Sequence, residues 1–136
     1  MVNCLCGTYA RCSLPLLTSS YSLLETLIQT HQLTSCDNIV DIGCGVGLIP
    51  LYYSLRFGKP ALGIELRPEL DSLAHDIESL VEYSARRWGL WMPVPRRIIG
   101  DVLVNAECQL GLAKSTFVIL NNFKFDPQSE RTYRVP

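Results

Sequence analysis

The chain has 136 residues, enough for one domain with a shared core and too few for two independent domains. With 48% hydrophobic and 18% charged residues it has a globular composition, which excludes a disordered tail, a collagen and a coiled coil. Twelve Lys plus Arg and thirteen Asp plus Glu give a net charge of -1, which disfavours a basic protein that wraps nucleic acid. No uncharged stretch reaches the about 18 residues of a membrane span, so no membrane partner is expected.

The chain begins with a segment that carries little pattern. We therefore divide it into residues 1–19, of unclear structure, and a core over residues 20–136. The core opens with a predicted helix whose apolar residues share one stripe: Tyr21, Leu24, Leu27 and Ile28. Ser22 and Glu25 have the spacing of an N-terminal capping box, and the helix should end near Leu33.

Four short apolar runs then read as strands, at residues 39–42, 61–65, 97–99 and 117–120. A helix through about Arg56 follows the first run, and Pro50 lies near its beginning, where a missing N–H costs little. Pro68 opens a long helix with regular apolar spacing, and a short helix or loop follows the third run. This alternation predicts an α/β fold with a mostly parallel sheet of about four strands, covered by helices.

A glycine-rich loop, Asp41-Ile42-Gly43-Cys44-Gly45-Val46-Gly47, joins the first strand to its helix. Glycines let the backbone turn sharply and approach a ligand, while the helix N-terminus presents unpaired N–H groups. A dinucleotide site would have Gly or Ala three positions after Gly45, but Leu48 stands there. The G-x-G-x-G spacing favours a nucleoside ligand without a pyrophosphate, such as S-adenosylmethionine, over NAD. The alternative is a tight turn in an ordinary α/β protein.

Two further acids follow the next two strands. Glu65 ends the second strand, where its carboxylate could accept hydrogen bonds from both ribose hydroxyls, although such a residue is often a solvated strand end. Asp101 follows the third strand and could accept from an adenine amino group with Val102 packed near the ring, or could cap a helix. Because parallel strands end at one edge of a sheet, we expect Asp41, Glu65 and Asp101 to share that edge.

From Ser20 to Pro127 the chain resembles the catalytic core of the disruptor-of-telomeric-silencing (Dot-one) family, which are histone H3 lysine methyltransferases of the class I (Rossmann-like) fold. Four segments carry the resemblance: the glycine loop, Gly63-Ile64-Glu65, Gly100-Asp101-Val102-Leu103 and Val118-Ile119-Leu120-Asn121-Asn122-Phe123-Lys124-Phe125. The glycine loop occurs in many methyltransferases, whereas the Asn-Asn-Phe-x-Phe segment is much more distinctive.

The resemblance implies an S-adenosylmethionine site and a lysine channel. The implied cofactor residues are Asp41, Gly43 and Gly45 for the methionine part, Glu65 for the ribose, and Asp101 with Val102 for the adenine. Asn121 would contact the cofactor where the methyl group meets the entering lysine, between the apolar walls Phe123 and Phe125. From the residues alone, the two phenylalanines would instead be alternating core residues at a strand end.

The implied function is methylation of a lysine in the globular core of histone H3 in the nucleosome, in the nucleus. The chain departs from the family where Leu16-Leu17-Thr18 replaces a Tyr-Gly-Glu segment, and its end at Pro136 predicts a C-terminally truncated core. The alternatives are a truncated or degenerate S-adenosylmethionine-binding module without activity, or a class I methyltransferase for another protein or a small molecule.

Two further groups of residues bear on partners. Arg86, Arg87, Arg96 and Arg97 would make weak contacts with DNA or the nucleosome surface, or form an ordinary solvated face. The sequence has no Cys-x-x-Cys pair, and His31 and His75 are isolated, so no metal site is predicted.

Overall fold

The computed structural model of the chain describes residues 19–120, without the side chains of Ser19, Ser20, Tyr21 and Leu23. Within that range the chain alternates helices and strands in the predicted order. The elements are α1 (Ser19–His31), β1 (Ile39–Ile42), α2 (Leu48–Phe57), β2 (Leu62–Glu65), a 3-10 turn (Pro68–Leu70), α3 (Asp71–Arg87), β3 (Arg96–Ile99), α4 (Ala106–Ala113) and β4 (Phe117–Leu120).

The four strands form one parallel sheet in the order β3-β2-β1-β4. The chain moves outward from β1 through β2 to β3 and then returns, so that β4 pairs with the opposite side of β1. Ile42 at the end of β1 pairs with both Ile64 and Leu120. In open α/β sheets, ligands bind at the carboxyl ends of the strands where the strand order reverses. Here that point lies between β1 and β4, and the parallel sheet confirms the predicted fold class.

Both faces of the sheet are buried, as parallel sheets require. One face packs against α1 and α2 through Leu24, Leu27, Leu33, Ile39, Ile49, Tyr53, Ala61, Phe117 and Ile119. The other packs against α4 through Val40, Ile42, Ile64, Ile98, Val102 and Cys108. Since side chains alternate along a strand, Asp41 and Glu65 lie on the face that α2 covers.

The start of α1 differs from the prediction. The helix already includes Ser19, so Ser22 lies inside it and cannot be its N-cap, and the predicted capping box is wrong. Glu25 instead accepts a hydrogen bond of 2.6 Å from the Tyr52 hydroxyl, which links α1 to α2. The helix ends at His31, two residues before the predicted end, where Gln32 adopts a left-handed φ of 54°.

The long helix also begins later than predicted. Pro68 opens a single 3-10 turn, and the α-helix proper starts at Asp71. None of the helices within residues 19–120 has the length and apolar character needed to cross a membrane.

Candidate functional site

The glycine loop is built from left-handed backbone. Gly43, Gly45 and Gly47 have φ values of 75°, 59° and 78°, a region that other residues enter only at a cost. A Cβ added to Gly45 would meet no atom within 4 Å, so the backbone there borders open space that a ligand can approach.

The loop is held against the end of β2 by its own N–H groups. Those of Gly43 and Cys44 donate to the Ile64 carbonyl oxygen at 2.8 and 3.1 Å. The N–H of Gly45 donates to Oε2 of Glu65 at 2.8 Å. The second glycine of the loop and the acid at the end of β2 are therefore parts of one site, as their spacing predicts.

Glu65 is buried, which excludes the alternative of a solvated strand end. Its other oxygen, Oε1, accepts from the backbone N–H of Arg67 at 3.0 Å and from Arg67 Nε at 3.2 Å. Both carboxylate oxygens thus have protein partners: one donor from the loop on Oε2, and two from Arg67, the second residue beyond β2, on Oε1.

Asp41 is a buried carboxylate inside β1. Only 2% of its surface is exposed, and its Oδ1 is buried without a hydrogen-bond partner. Burial, together with the negative charge of Glu65, raises the pKa of Asp41 from 3.8 to about 8. A buried oxygen with no partner is costly and rare in native proteins, so this atom is suited to an incoming cation or N–H donor.

Cys44, in the middle of the loop, packs tightly on the sheet. A Cβ added to Gly63 of β2 would lie 2.7 Å from Cys44 Sγ and 3.3 Å from Pro50 Cγ. Gly63 is therefore a site residue that the sequence reading missed, although a glycine inside a strand is a known signal of close backbone approach. Burial and the charges of Asp41 and Glu65 raise the pKa of the Cys44 thiol above its ordinary value.

Asp101 follows β3 at the same sheet edge and shapes the turn there. Its Oδ1 accepts from the N–H of Leu103 at 2.9 Å, and its carbonyl oxygen accepts from Asn105 at 2.8 Å. Asn105 is the residue that caps α4, through hydrogen bonds to the N–H groups of Glu107 and Cys108 at 2.9 and 3.1 Å. Asp101 therefore caps a turn and not the helix, while Val102 is buried in the core beside it.

A largely buried ion-pair cluster lies beside the last glycine of the loop. Arg97 of β3 pairs with Asp71 through Nε at 2.9 Å and with Glu78 of α3 through Nη1. A Cβ on Gly47 would lie 3.9 Å from both Arg97 Nη1 and Glu78 Oε1. The Arg97 side chain is only 11% exposed, so it is not part of an ordinary solvated face, and its contact with a nucleosome stays a prediction. The sequence around Arg97 predicts a short strand but does not indicate that Asp71 and Glu78 of α3 are its partners.

The other three arginines stay at the surface and have partners within the chain. Arg86 pairs with Glu82, Arg96 with Glu107, and Arg87 donates to the Tyr83 hydroxyl at 3.2 Å. Their contact with a nucleosome stays a prediction.

The predicted reaction centre falls outside the described part of the chain. Asn121, Phe123 and Phe125 follow directly on β4, which ends at Leu120 opposite Ile42. Over residues 19–120, no cluster of three or more His, Cys, Asp or Glu side chains has the arrangement of a metal site.

Comparison with known proteins first defines the class. An RNA methyltransferase from Salinibacter ruber, solved in complex with S-adenosyl-L-homocysteine, superposes with a TM-score of 0.51 at 19% identity, covering 79% of this chain and 60% of that one. The chain therefore has the class I S-adenosylmethionine-dependent methyltransferase fold.

The sequence defines the family. The family model "Histone methylation protein DOT1" matches residues 18–133, and the chain belongs to this family, which confirms the resemblance. A histone-lysine N-methyltransferase, H3 lysine-79 specific, from Gibberella zeae is 27% identical over 104 residues, or 76% of this chain. Its counterpart from Cryptococcus neoformans is 29% identical over 109 residues, or 77% of this chain. The chain spans 21% and 16% of the lengths of these two relatives.

Proposed function

We propose that the chain binds S-adenosylmethionine at the carboxyl edge of its sheet, and that this site serves methyl transfer to a lysine side chain of histone H3 in the nucleosome. Membership of the family and the naming of both curated relatives as H3 lysine-79 specific enzymes support this proposal. A histone substrate also implies a nuclear location.

The single observation that carries the proposal is the unpartnered, buried Oδ1 of Asp41. The methionine part of the cofactor ends in an ammonium group, which supplies both the positive charge and the N–H donors that this oxygen lacks. Gly43 and Gly45 leave the backbone beside Asp41 free of side chains, with open space next to Gly45. These residues fit the methionine end of the ligand.

The nucleoside end would follow the next two strands. Glu65 would accept the ribose hydroxyls: of the about four acceptor positions of a carboxylate the protein uses three, which leaves one open on Oε2. The adenine would lie beside Asp101, with Val102 packing under it from the core. Only one oxygen of Asp101 is engaged by the Leu103 N–H, and the other takes no part in that turn.

The cofactor supplies an activated methyl group, so the protein has mainly to orient the lysine and exclude water. A free lysine has a pKa of about 10.4 and must lose its proton before it can attack. Apolar walls favour the neutral amine, the role we propose for Phe123 and Phe125. Asn121 would lie where the lysine meets the methyl group, one residue beyond the end of β4 and next to the point where the strand order reverses.

Two assays on the purified chain test the proposal. Calorimetry should detect binding of S-adenosylhomocysteine, and a labelled methyl group should pass from S-adenosylmethionine to H3 in nucleosomes and less readily to free histones. Asn121→Ala should reduce transfer at least tenfold, whereas Gln29→Ala, which removes an exposed amide on α1, should not.

Absence of binding would overturn the proposal. Binding without transfer would favour the alternative of a binding module without activity. Full transfer by Asn121→Ala would show that the reaction centre is misplaced.

A further inference from the structure

We propose that Arg67 competes with the ribose for Glu65, and that it thereby sets the affinity of the site for its nucleoside ligand. This inference rests on the proposed function, because it requires Glu65 to receive the ribose.

The competition follows from counting acceptors on Glu65. Oε1 already accepts two N–H groups, the backbone N–H and Nε of Arg67 at 3.0 and 3.2 Å. Oε2 accepts one, from Gly45 at 2.8 Å. Each carboxylate oxygen has about two acceptor positions, so Oε1 is filled and only Oε2 has one left.

A ribose presents two neighbouring O–H donors, which a carboxylate receives best with one on each oxygen. For this, one donor must leave Oε1. The backbone N–H of Arg67 cannot leave, because it lies two residues along the same chain and the bond closes a local turn. The guanidinium is the donor that can be displaced.

The exposure of the two partners indicates that the displacement is easy. The Arg67 side chain is 47% exposed, so its guanidinium can return to water, whereas Glu65 stays buried. In Arg97, by contrast, an 11% exposed guanidinium is held by two acids and cannot leave in this way. Arg67 therefore acts as a placeholder that satisfies a buried carboxylate until the ligand arrives.

The test compares Arg67→Ala with wild type by calorimetry, using S-adenosylhomocysteine, which carries no net charge. The variant keeps the backbone N–H and removes only the competing donor. Exposed ion pairs contribute little, so the dissociation constant should fall by about two- to fivefold. Arg56→Ala is the matched control, because Arg56 is 50% exposed and its Nε lies 3.6 Å from Oε1 of Glu25 on α1. The affinity of this control variant for S-adenosylhomocysteine should equal that of wild type.

The 2′,3′-dideoxy form of S-adenosylhomocysteine separates competition from a structural effect. Wild type and Arg67→Ala should bind it equally, because it brings no O–H donors to Glu65. Unfolding in urea should show that Arg67→Ala is no more stable than wild type without ligand, so that tighter binding cannot come from a stiffer protein.

The outcomes distinguish this inference from the proposed function. If wild type binds neither compound, or binds both equally, the proposed ligand or the ribose role of Glu65 is wrong. A third outcome is that wild type binds S-adenosylhomocysteine more tightly than the dideoxy form while Arg67→Ala binds S-adenosylhomocysteine no more tightly than wild type does. In that case the ribose role of Glu65 stands and the competition is refuted.

Discussion

Asp41 stands in a short strand whose other residues are Ile39, Val40 and Ile42, and its carboxylate is buried on the face of the sheet that α2 covers. Such a residue destabilises the ligand-free protein, because an unpartnered acceptor has left water without a replacement bond. The proposed ligand, whose ammonium group would pair with this carboxylate, would account for an acid at a buried position. The β-branched neighbours explain why these residues form a strand, whereas the buried acid is the residue that indicates a ligand site.

Binding of an ammonium group next to Asp41 should therefore release a proton. The pKa of Asp41 is about 8 without ligand, so the carboxyl is mostly protonated at pH 7, and a neighbouring cation favours its ionised form. Calorimetry of S-adenosylhomocysteine binding in buffers of different ionisation enthalpy should report release of up to about one proton. Asp41→Asn should abolish this release, and an unchanged buffer dependence in that variant would contradict the assignment.

Glu65→Ala should weaken S-adenosylhomocysteine binding by about one to two orders of magnitude, because hydrogen bonds to a charged acceptor contribute about 1.5–3 kcal/mol. The variant would lose both the proposed ribose contact and the hydrogen bond from the Gly45 N–H. Glu69→Ala, an exposed acid in the neighbouring 3-10 turn, is the control for loss of one negative charge. Equal affinities of the two variants for S-adenosylhomocysteine would show that Glu65 does not contact the ligand.

At this scale the sequence predicted which residues lie together at the carboxyl edge of the sheet, while their roles stay predictions. Glu65 and Gly45 could be paired because parallel strands end at a common edge. Arg97 could not be assigned, because its partners Asp71 and Glu78 lie on a helix whose rotation the sequence pattern does not specify. Asn121, Phe123 and Phe125 stay predictions, since they lie outside the described residues.

Among the elements, the contact between the glycine loop and β2 decides the shape of the site. Gly63→Ala should destabilise the protein by about 1–3 kcal/mol, because the new methyl group would overlap Cys44 Sγ at 2.7 Å. It should also weaken ligand binding by pushing the loop outward. Urea unfolding and calorimetry measure the two effects.

A second substitution makes this prediction specific. Cys44→Ala removes the sulfur atom that the new methyl group meets, so the double variant Gly63→Ala/Cys44→Ala should recover part of the lost stability. Additive losses in the double variant would show that Cys44 is not the obstacle.

The positions of the strands could be predicted because each contains β-branched or other apolar residues beside a turn signal. Helix ends were less accurate, for local reasons. Ser22 and Glu25 have capping-box spacing, but α1 extends three residues further toward the N-terminus, so the pair lies within the helix. Pro68 begins a helical segment, but its first three residues form a 3-10 turn and α3 starts only at Asp71.

For the whole molecule, the parallel α/β class followed from the alternation of elements, while the order β3-β2-β1-β4 required the structure. The alternation does not state on which side of β1 the last strand pairs. That choice places the carboxyl ends of β1 and β4 side by side, and with them the proposed meeting point of cofactor and lysine.

The stability of the whole ligand-free protein should depend on pH through Asp41. The folded state holds this proton up to about pH 8, whereas the unfolded chain releases it near 3.8. The folded state therefore binds more protons within this window, and the contribution to stability is lost as pH rises through it. Urea unfolding at pH 5 and pH 8 should show a smaller loss in Asp41→Asn than in wild type. Equal losses would contradict a buried, protonated Asp41.

Cys44 gives this arrangement a further consequence. Thiolates are strong nucleophiles, and the proposed cofactor is an alkylating agent held by the very loop that contains this cysteine. Burial, and after it the charges of Asp41 and Glu65, raises the pKa of the thiol, so it stays protonated and unreactive. Burial of the thiol, helped by the two acids, would thus protect the protein from methylating itself.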